Sequence, residues 1–214
     1  SNNINYKNEL KFKERHQLDF GLNVSAITTI NDVTIDEQIQ LPFGEREQSG
    51  GIFALYASDE LRINKKLRLN AGFRYTATNL THKNYFGRRL GLTYQVSPSI
   101  KLKLSNGQYY QLARQVLYDD PRSNLQDGWN LACNTAFGAL NSDHLIGGIN
   151  YSKNGFMVDM EYYQKNVSGL VEYTVSHMFD QNMPNDTQPL VTESVGEEKI
   201  RGLDVLIQKK VGPY

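Results

Sequence analysis

Residues 67–76 read LRLNAGFRYT; Leu67, Leu69, Ala71, Phe73 and Tyr75 are apolar, whereas Arg68, Asn70, Gly72, Arg74 and Thr76 between them are not. A period of two belongs to a strand with one apolar and one wet face. The same alternation sets Leu90, Leu92, Tyr94 and Val96 against Arg89, Gly91, Thr93 and Gln95, then Ile100, Leu102 and Leu104 against Lys101, Lys103 and Ser105. Upstream it sets Leu18, Phe20, Leu22, Val24 and Ala26 against Gln17, Asp19, Gly21, Asn23 and Ser25. Downstream, Phe156, Val158, Met160 and Tyr162 alternate with Met157, Asp159, Glu161 and Tyr163, and Leu203, Val205 and Ile207 with Gly202, Asp204, Leu206 and Gln208. No long segment spaces its apolar residues three and four apart, so the predicted chain is all-β.

The connections between these runs alternate in length. Short polar turns are predicted at Lys13–Arg15, Asn64–Lys66, Ser97–Ser99, Ser152–Gly155 and Val211–Pro213, and long ones at Thr29–Gly50, Ala77–Gly87, Gln111–Asp143 and Thr174–Glu198. In an up-and-down antiparallel sheet every second connection falls on the same side, so tight turns collect at one rim and long loops at the other. That is the rhythm of a transmembrane β-barrel with long extracellular loops. The count is about nine strands, whereas bacterial single-chain barrels have even numbers. An open sheet edge in hydrocarbon leaves amides and carbonyls unpaired at several kcal/mol each. Residues 1–214 are therefore expected to be part of one larger, incomplete outer-membrane barrel domain.

Composition agrees and removes other classes. The 214 residues carry 23 Lys plus Arg and 23 Asp plus Glu, so there is no basic excess to suggest a nucleic-acid partner. One cysteine, Cys133, supports neither an internal disulfide nor a thiolate zinc site. The longest apolar run, Ile52 to Ala57, is far short of the roughly 20 residues of a membrane-spanning helix. A mean hydropathy of −0.53 beside 13 Tyr and 9 Phe is reconciled by a barrel, in which only every second strand residue meets lipid. Tyr75, Tyr94, Tyr109, Tyr110, Tyr151, Phe156 and Tyr162 fall near predicted strand ends, as in a headgroup-level girdle, although Tyr and Phe are also simply good strand formers. The other face, with Arg68, Asn70, Arg74, Lys101, Lys103, Asp159 and Glu161, would line an aqueous lumen, or in a soluble protein a solvated surface.

Several phrases together are similar to a known family. LRLNAGFRY (67–75), FGRRLGLTYQVSPSIKLKLSNGQYYQ (86–111), HLIGGINYSKNGFMVDMEYYQKNVSGLV (144–171) and VGEEKIRGLDVLIQKKVG (195–212) occur in an order that resembles the middle-to-late barrel strands of TonB-dependent outer-membrane receptors. The resemblance runs from about Gly51 onward. It implies a barrel of about 22 strands around an N-terminal plug, localisation in the bacterial outer membrane, and import energised by an inner-membrane complex that contacts the plug region. Neither a plug nor an energy-coupling box is recognisable in these residues. The family's haem-uptake members carry an Asn-Pro-Asn-Leu type motif with a nearby His; FGALNSDH at 137–144 lacks the Pro.

No catalytic constellation is evident. His16, His82, His144 and His177 are scattered, no Gly-Xaa-Ser-Xaa-Gly elbow occurs, and neither a metal site nor a cofactor is predicted. Asp119, Asp120 and Asp127 share a long loop without the spacing of a calcium loop. The candidate ligand-binding set is Tyr109, Tyr110, Arg114 and Trp129, whose rings and guanidinium suit stacking on a sugar or an aromatic chelator; Trp129 could equally anchor its own loop. The expected function is binding and translocation of a small nutrient: a siderophore, a vitamin-like chelate or an oligosaccharide. The expected partners are outer-membrane lipid, that nutrient and the inner-membrane complex. A passive porin, a surface adhesin barrel or a soluble carbohydrate-binding module remain alternatives, and no enzymatic activity is expected.

Overall fold

The computed structural model describes residues 2–13, 15–30, 47–120, 123–133, 138–179 and 187–210. The alternating runs become β1 (Asn2–Phe12), β2 (His16–Ile30), β3 (Glu47–Arg62), β4 (Leu67–Thr78), β5 (Tyr85–Ser97), β6 (Ile100–Gln111), β9 (Leu140–Lys153), β10 (Phe156–Phe179) and β11 (Thr187–Lys209). These nine pair antiparallel with their neighbours in chain order, as an up-and-down sheet should. The turn between β9 and β10 is tight because Asn154 (φ 51°) and Gly155 (φ 75°) take left-handed backbone, the requirement of a two-residue hairpin that matches strand twist. The turn predicted at Val211–Pro213 lies outside the described residues.

Two long connections differ from the sequence expectation. Thr174–Glu198 is mostly strand: β10 and β11 stay paired up to Phe179 and Thr187. Gln111–Asp143 contains a further hairpin, β7 (Ala113–Asp120) with β8 (Ser123–Leu131). β7 meets β10 in a short parallel pairing at Tyr118 and Asp119, while β8 lies against β2 and β3. The Leu131 amide donates to Gln48 Oε1 at 2.9 Å, and Arg114 Nη1 donates to the Gly169 carbonyl. Four strands separate β3 from β10 in the sheet, so one hairpin reaches both only if the sheet is curled. Its inner face is concave and the hairpin straps part of one mouth.

Register assigns the faces. The row Phe12, His16, Leu61, Leu69, Leu92, Leu104, Gly147, Tyr162, Leu203 crosses all nine strands on one side. It starts at the end of β1 yet meets β11 about six residues, or roughly 20 Å, before that strand ends, the stagger of tilted barrel strands. This outer face is largely apolar and bare, with Leu92 38% exposed, Leu104 51% and Val205 52%; the His16–Asp59 pair at 2.7 Å lies at its short-turn end. Buried hydrophobics among the described residues are only Ala54, Tyr85, Leu112, Val116, Leu131 and Ala132, nearly all at the base of the hairpin. Apolar side chains left in water each forgo up to about 1.5–3 kcal/mol. Across nine strands that exceeds the roughly 5–15 kcal/mol by which a domain is stable. Lipid, not a protein core, must cover this face, and the soluble carbohydrate-binding alternative has no core to stand on.

The aromatic girdle is partly realised. Tyr151 and Phe156 meet edge to face at 6.5 Å beside the tight β9–β10 turn, and Phe73 stacks on Phe86 at 5.6 Å toward the opposite side. Tyr162 instead sits mid-sheet across from Gly147. Tyr109 faces inward.

Candidate functional site

The concave face divides into a lower part where most charges are paired and an upper part where two arginines are not. In the lower part Arg68 reaches Glu60 at 3.7 Å, and Lys103 Nζ lies 3.1 Å from Asp159 Oδ2 and 3.2 Å from Glu161 Oε1. Asn70, Arg68, Thr93, Lys101, Lys103 and Glu161 border one open recess. Register fixes the Lys103 cluster: Lys103 opposes Gly148, which in turn opposes Glu161. A Cβ on Gly148 would come within 3.0 Å of the Glu161 side chain, so glycine there lets the ion pairs cross a whole strand. Lys103→Met should cost about 1 kcal/mol, discounted for partial solvent exposure, because Asp159 and Glu161 then repel without a cation. Urea unfolding of the full-length protein in lipid measures it, with Lys101→Met, a cation without a carboxylate within 4 Å among the described residues, as the near-neutral comparison.

Toward the hairpin the inner face changes character. Arg74 on β4 opposes Gly87, and Arg89 on β5 opposes Gly72 and Gly107. The two guanidinium groups are diagonal neighbours that repel one another, and among the described residues neither has a carboxylate within 4 Å. Arg89 lies 5.1 Å from the centre of the Tyr109 ring, and that ring packs on His144 at 4.9 Å. Ser142 Oγ and His144 Nε2 are 2.7 Å apart, and Lys165 opposes His144 across the β9–β10 ladder. Tyr56, beside Arg74 in the β3–β4 ladder, completes the set. Its ring lies where a Cβ on Gly21 would be, and Tyr109 covers Gly107 in the same manner. Glycines on the inner wall thus let tyrosine rings lie flat and leave the two arginines accessible. Two unneutralised guanidinium groups between aromatic faces can hold a delocalised anion by charge-assisted hydrogen bonds and stack on its planar parts.

The sequence-derived ligand set does not converge. Tyr109 stands in this upper cluster. Tyr110 packs on Tyr85 at 5.0 Å at the hairpin base. Arg114 is buried in the strap with its guanidinium on the Gly169 carbonyl, and Trp129 is half exposed on β8 opposite Gln115. Arg68, Asn70, Arg74, Asp159 and Glu161 all share the inner face. Arg89, Tyr56, His144 and Lys165 were missed. The available signal was Arg89 between Gly87 and Gly91 on an alternating strand. The side chains of Asp119, Asp120 and Asp127 lie outside the described residues, and no cluster of metal-ligating side chains occurs among those described.

Comparison with known proteins fits this geometry. The family model described as TonB dependent receptor-like, beta-barrel matches residues 1–209. The siderophore receptor PirA from Acinetobacter baumannii superposes with a TM-score of 0.67 at 12% identity, covering 98% of this chain and 34% of PirA. The ferric enterobactin receptor PfeA from Pseudomonas aeruginosa, solved as the R480A mutant with enterobactin, gives 0.66 at 17% identity, covering 95% of this chain and 32% of PfeA. The alcaligin receptor FauA from Bordetella pertussis gives 0.55 at 15%, covering 99% and 36%. The chain spans about a third of the length of these structures. No curated protein gives a significant match. A family match over nearly every residue, on a curled nine-stranded sheet with a bare apolar outer face, makes this chain a member of the TonB-dependent receptor β-barrel family and a bacterial outer-membrane protein.

Proposed function

We propose that this chain supplies part of the wall and ligand-capture surface of an energised nutrient importer, and that its ligand is an anionic chelate with planar groups. The family is one of transport receptors rather than enzymes, and binding is the role assigned here. The observation that carries the reading is the Arg74 and Arg89 pair, which lacks a carboxylate partner among the described residues and faces the concave side among Tyr56, Tyr109 and His144. A neutral oligosaccharide would stack on the tyrosines but gives no return for holding two like charges together. Siderophores are polyoxygen anions of the required kind, and the receptors of similar fold named above are siderophore receptors. The lower inner face, with Arg68, Asn70, Asp159 and Glu161, is read as lining the aqueous passage. β1 pairs only with β2 and β11 only with β10 among the described residues, so further strands are assigned to the closed wall.

Uptake by cells making the full-length receptor tests this. Radiolabelled ferric catecholate, ferric citrate and a neutral maltooligosaccharide are offered with and without an uncoupler. Uptake of one anionic chelate that stops on uncoupling supports the reading. Uptake that continues without the proton-motive force returns the passive porin, and uptake of the sugar alone overturns the assigned ligand class.

A further inference from the structure

The chain is neutral as a whole, yet exposed cations gather at one end of the sheet. The rim of short turns is cationic. Lys13 and Arg15 stand in the β1–β2 turn, Lys65 and Lys66 in the β3–β4 turn, Lys153 at the β9–β10 turn and Lys209 at the end of β11, and all are exposed. Among the described residues none of these six has a carboxylate within 4 Å; Glu14 is the one acid within these turns and is not described. At the opposite end exposed Glu172, Glu197 and Glu198 stand with exposed Lys83 and Lys199, so that end has no such cationic excess.

We infer that this rim docks the anionic phospholipid headgroups of the leaflet on the short-turn side. The cations stand at the depth where headgroups begin. Lys153 and Lys209 oppose Phe156 from either side on the outer, apolar face, one row beyond Tyr151, Val158 and Ile207. Lys13 lies 5.5 Å over the Phe12 ring, which is itself 62% exposed at the edge of the apolar band. Long alkyl stems at these positions lie along the last row of apolar side chains while the ammonium groups reach past it. In the β3–β4 turn the Asn64 side chain accepts from the Lys66 and Leu67 amides at 2.8 and 2.9 Å, which holds the turn and presents Lys65 and Lys66 outward. Cations without internal partners, arranged along the boundary of a lipid-covered face, match a negatively charged surface that continues around the barrel. A soluble acidic protein would instead meet the rim end-on and would have no use for the outward row at Lys153 and Lys209.

Spin-labelled lipid association with the full-length receptor in phosphatidylcholine vesicles tests this. Labelled phosphatidylglycerol should be preferred over labelled phosphatidylcholine by about fivefold, the equivalent of one contact of roughly 1 kcal/mol. Raising salt to 0.5 M, which shrinks the screening length to a few ångströms, should abolish most of that preference, about on the scale expected for headgroup charges. K13Q/R15Q/K65Q/K66Q should lose about half of it, and adding K153Q/K209Q nearly all, with heat-modifiable gel mobility unchanged as proof of a folded barrel. A preference that survives all six substitutions overturns the inference. So does an absent preference in the wild-type receptor, and so does a rim whose neutralisation leaves lipid selectivity intact but abolishes capture of an acidic periplasmic protein.

Discussion

Leu92→Arg should destabilise the full-length barrel in a bilayer by about 2–4 kcal/mol, the cost of a cation near the midplane of the lipid face. Leu92 lies between Leu69 and Leu104 in its row, with Leu90 above and Tyr94 below on the same side of β5, so no neighbouring side chain can hide the charge. Asn70→Arg is its comparison. Asn70 sits on the inner face between Glu60 and Gly91, where a guanidinium would find a carboxylate and water. Reversible denaturant unfolding in phosphatidylcholine vesicles measures both. A difference of several kcal/mol establishes which face meets acyl chains. Equal losses would mean that both faces are equally wet or equally buried, and the membrane placement of this sheet would fall.

The alternation that makes this prediction possible was legible because the bilayer imposes it. Where strands pass beyond the bilayer the constraint weakens, and with it the signal. In β10 and β11 the upper ladder pairs Glu172 with Ser194 and Thr174 with Thr192 on one face and Val171 with Val195 and Val175 with Val191 on the other. That alternation is short, and the run DQNMPNDTQP at 180–189 that follows it is rich in turn residues, so residues 174–198 look like a loop. The β7–β8 hairpin hides for the opposite reason. It buries Arg114 and Asn130 beside Val116 and Leu131, an inverted pattern that no apolar stripe announces. The proposed capture cluster was hidden by proximity along the chain. Tyr109, Tyr110, Arg114 and Trp129 are close in sequence, but a strand sends adjacent residues to opposite faces and the hairpin carries the rest away. Arg74 and Arg89 meet only because the β4–β5 register sets each against a glycine of the other strand, a diagonal that alternation alone does not reveal.

Arg89→Ala should weaken binding of the anionic chelate identified by uptake about 10- to 100-fold, the equivalent of roughly 1.5–3 kcal/mol for a hydrogen bond to a charged group. Arg74→Ala should do the same, while Arg89→Lys should recover only part of the loss, because an ammonium lacks the planar fork that engages two oxygens. Arg68→Ala should change affinity little, since Arg68 is already engaged by Glu60. Stability separates a binding role from a structural one. Lys103 neutralises two carboxylates and its loss destabilises the wall. Arg74 and Arg89 repel each other, so removing either should leave unfolding unchanged or shift it slightly upward. Fluorescence titration of the full-length receptor in detergent, paired with unfolding in vesicles, reads both quantities on the same variants. Lost affinity at preserved stability marks two charges held together for a ligand. Preserved affinity with lost stability would make them wall residues and move the capture site elsewhere. The like-charge repulsion across the β4–β5 ladder is therefore the quantity on which the assignment of this site turns, since a fold gains nothing from keeping it empty of an anion.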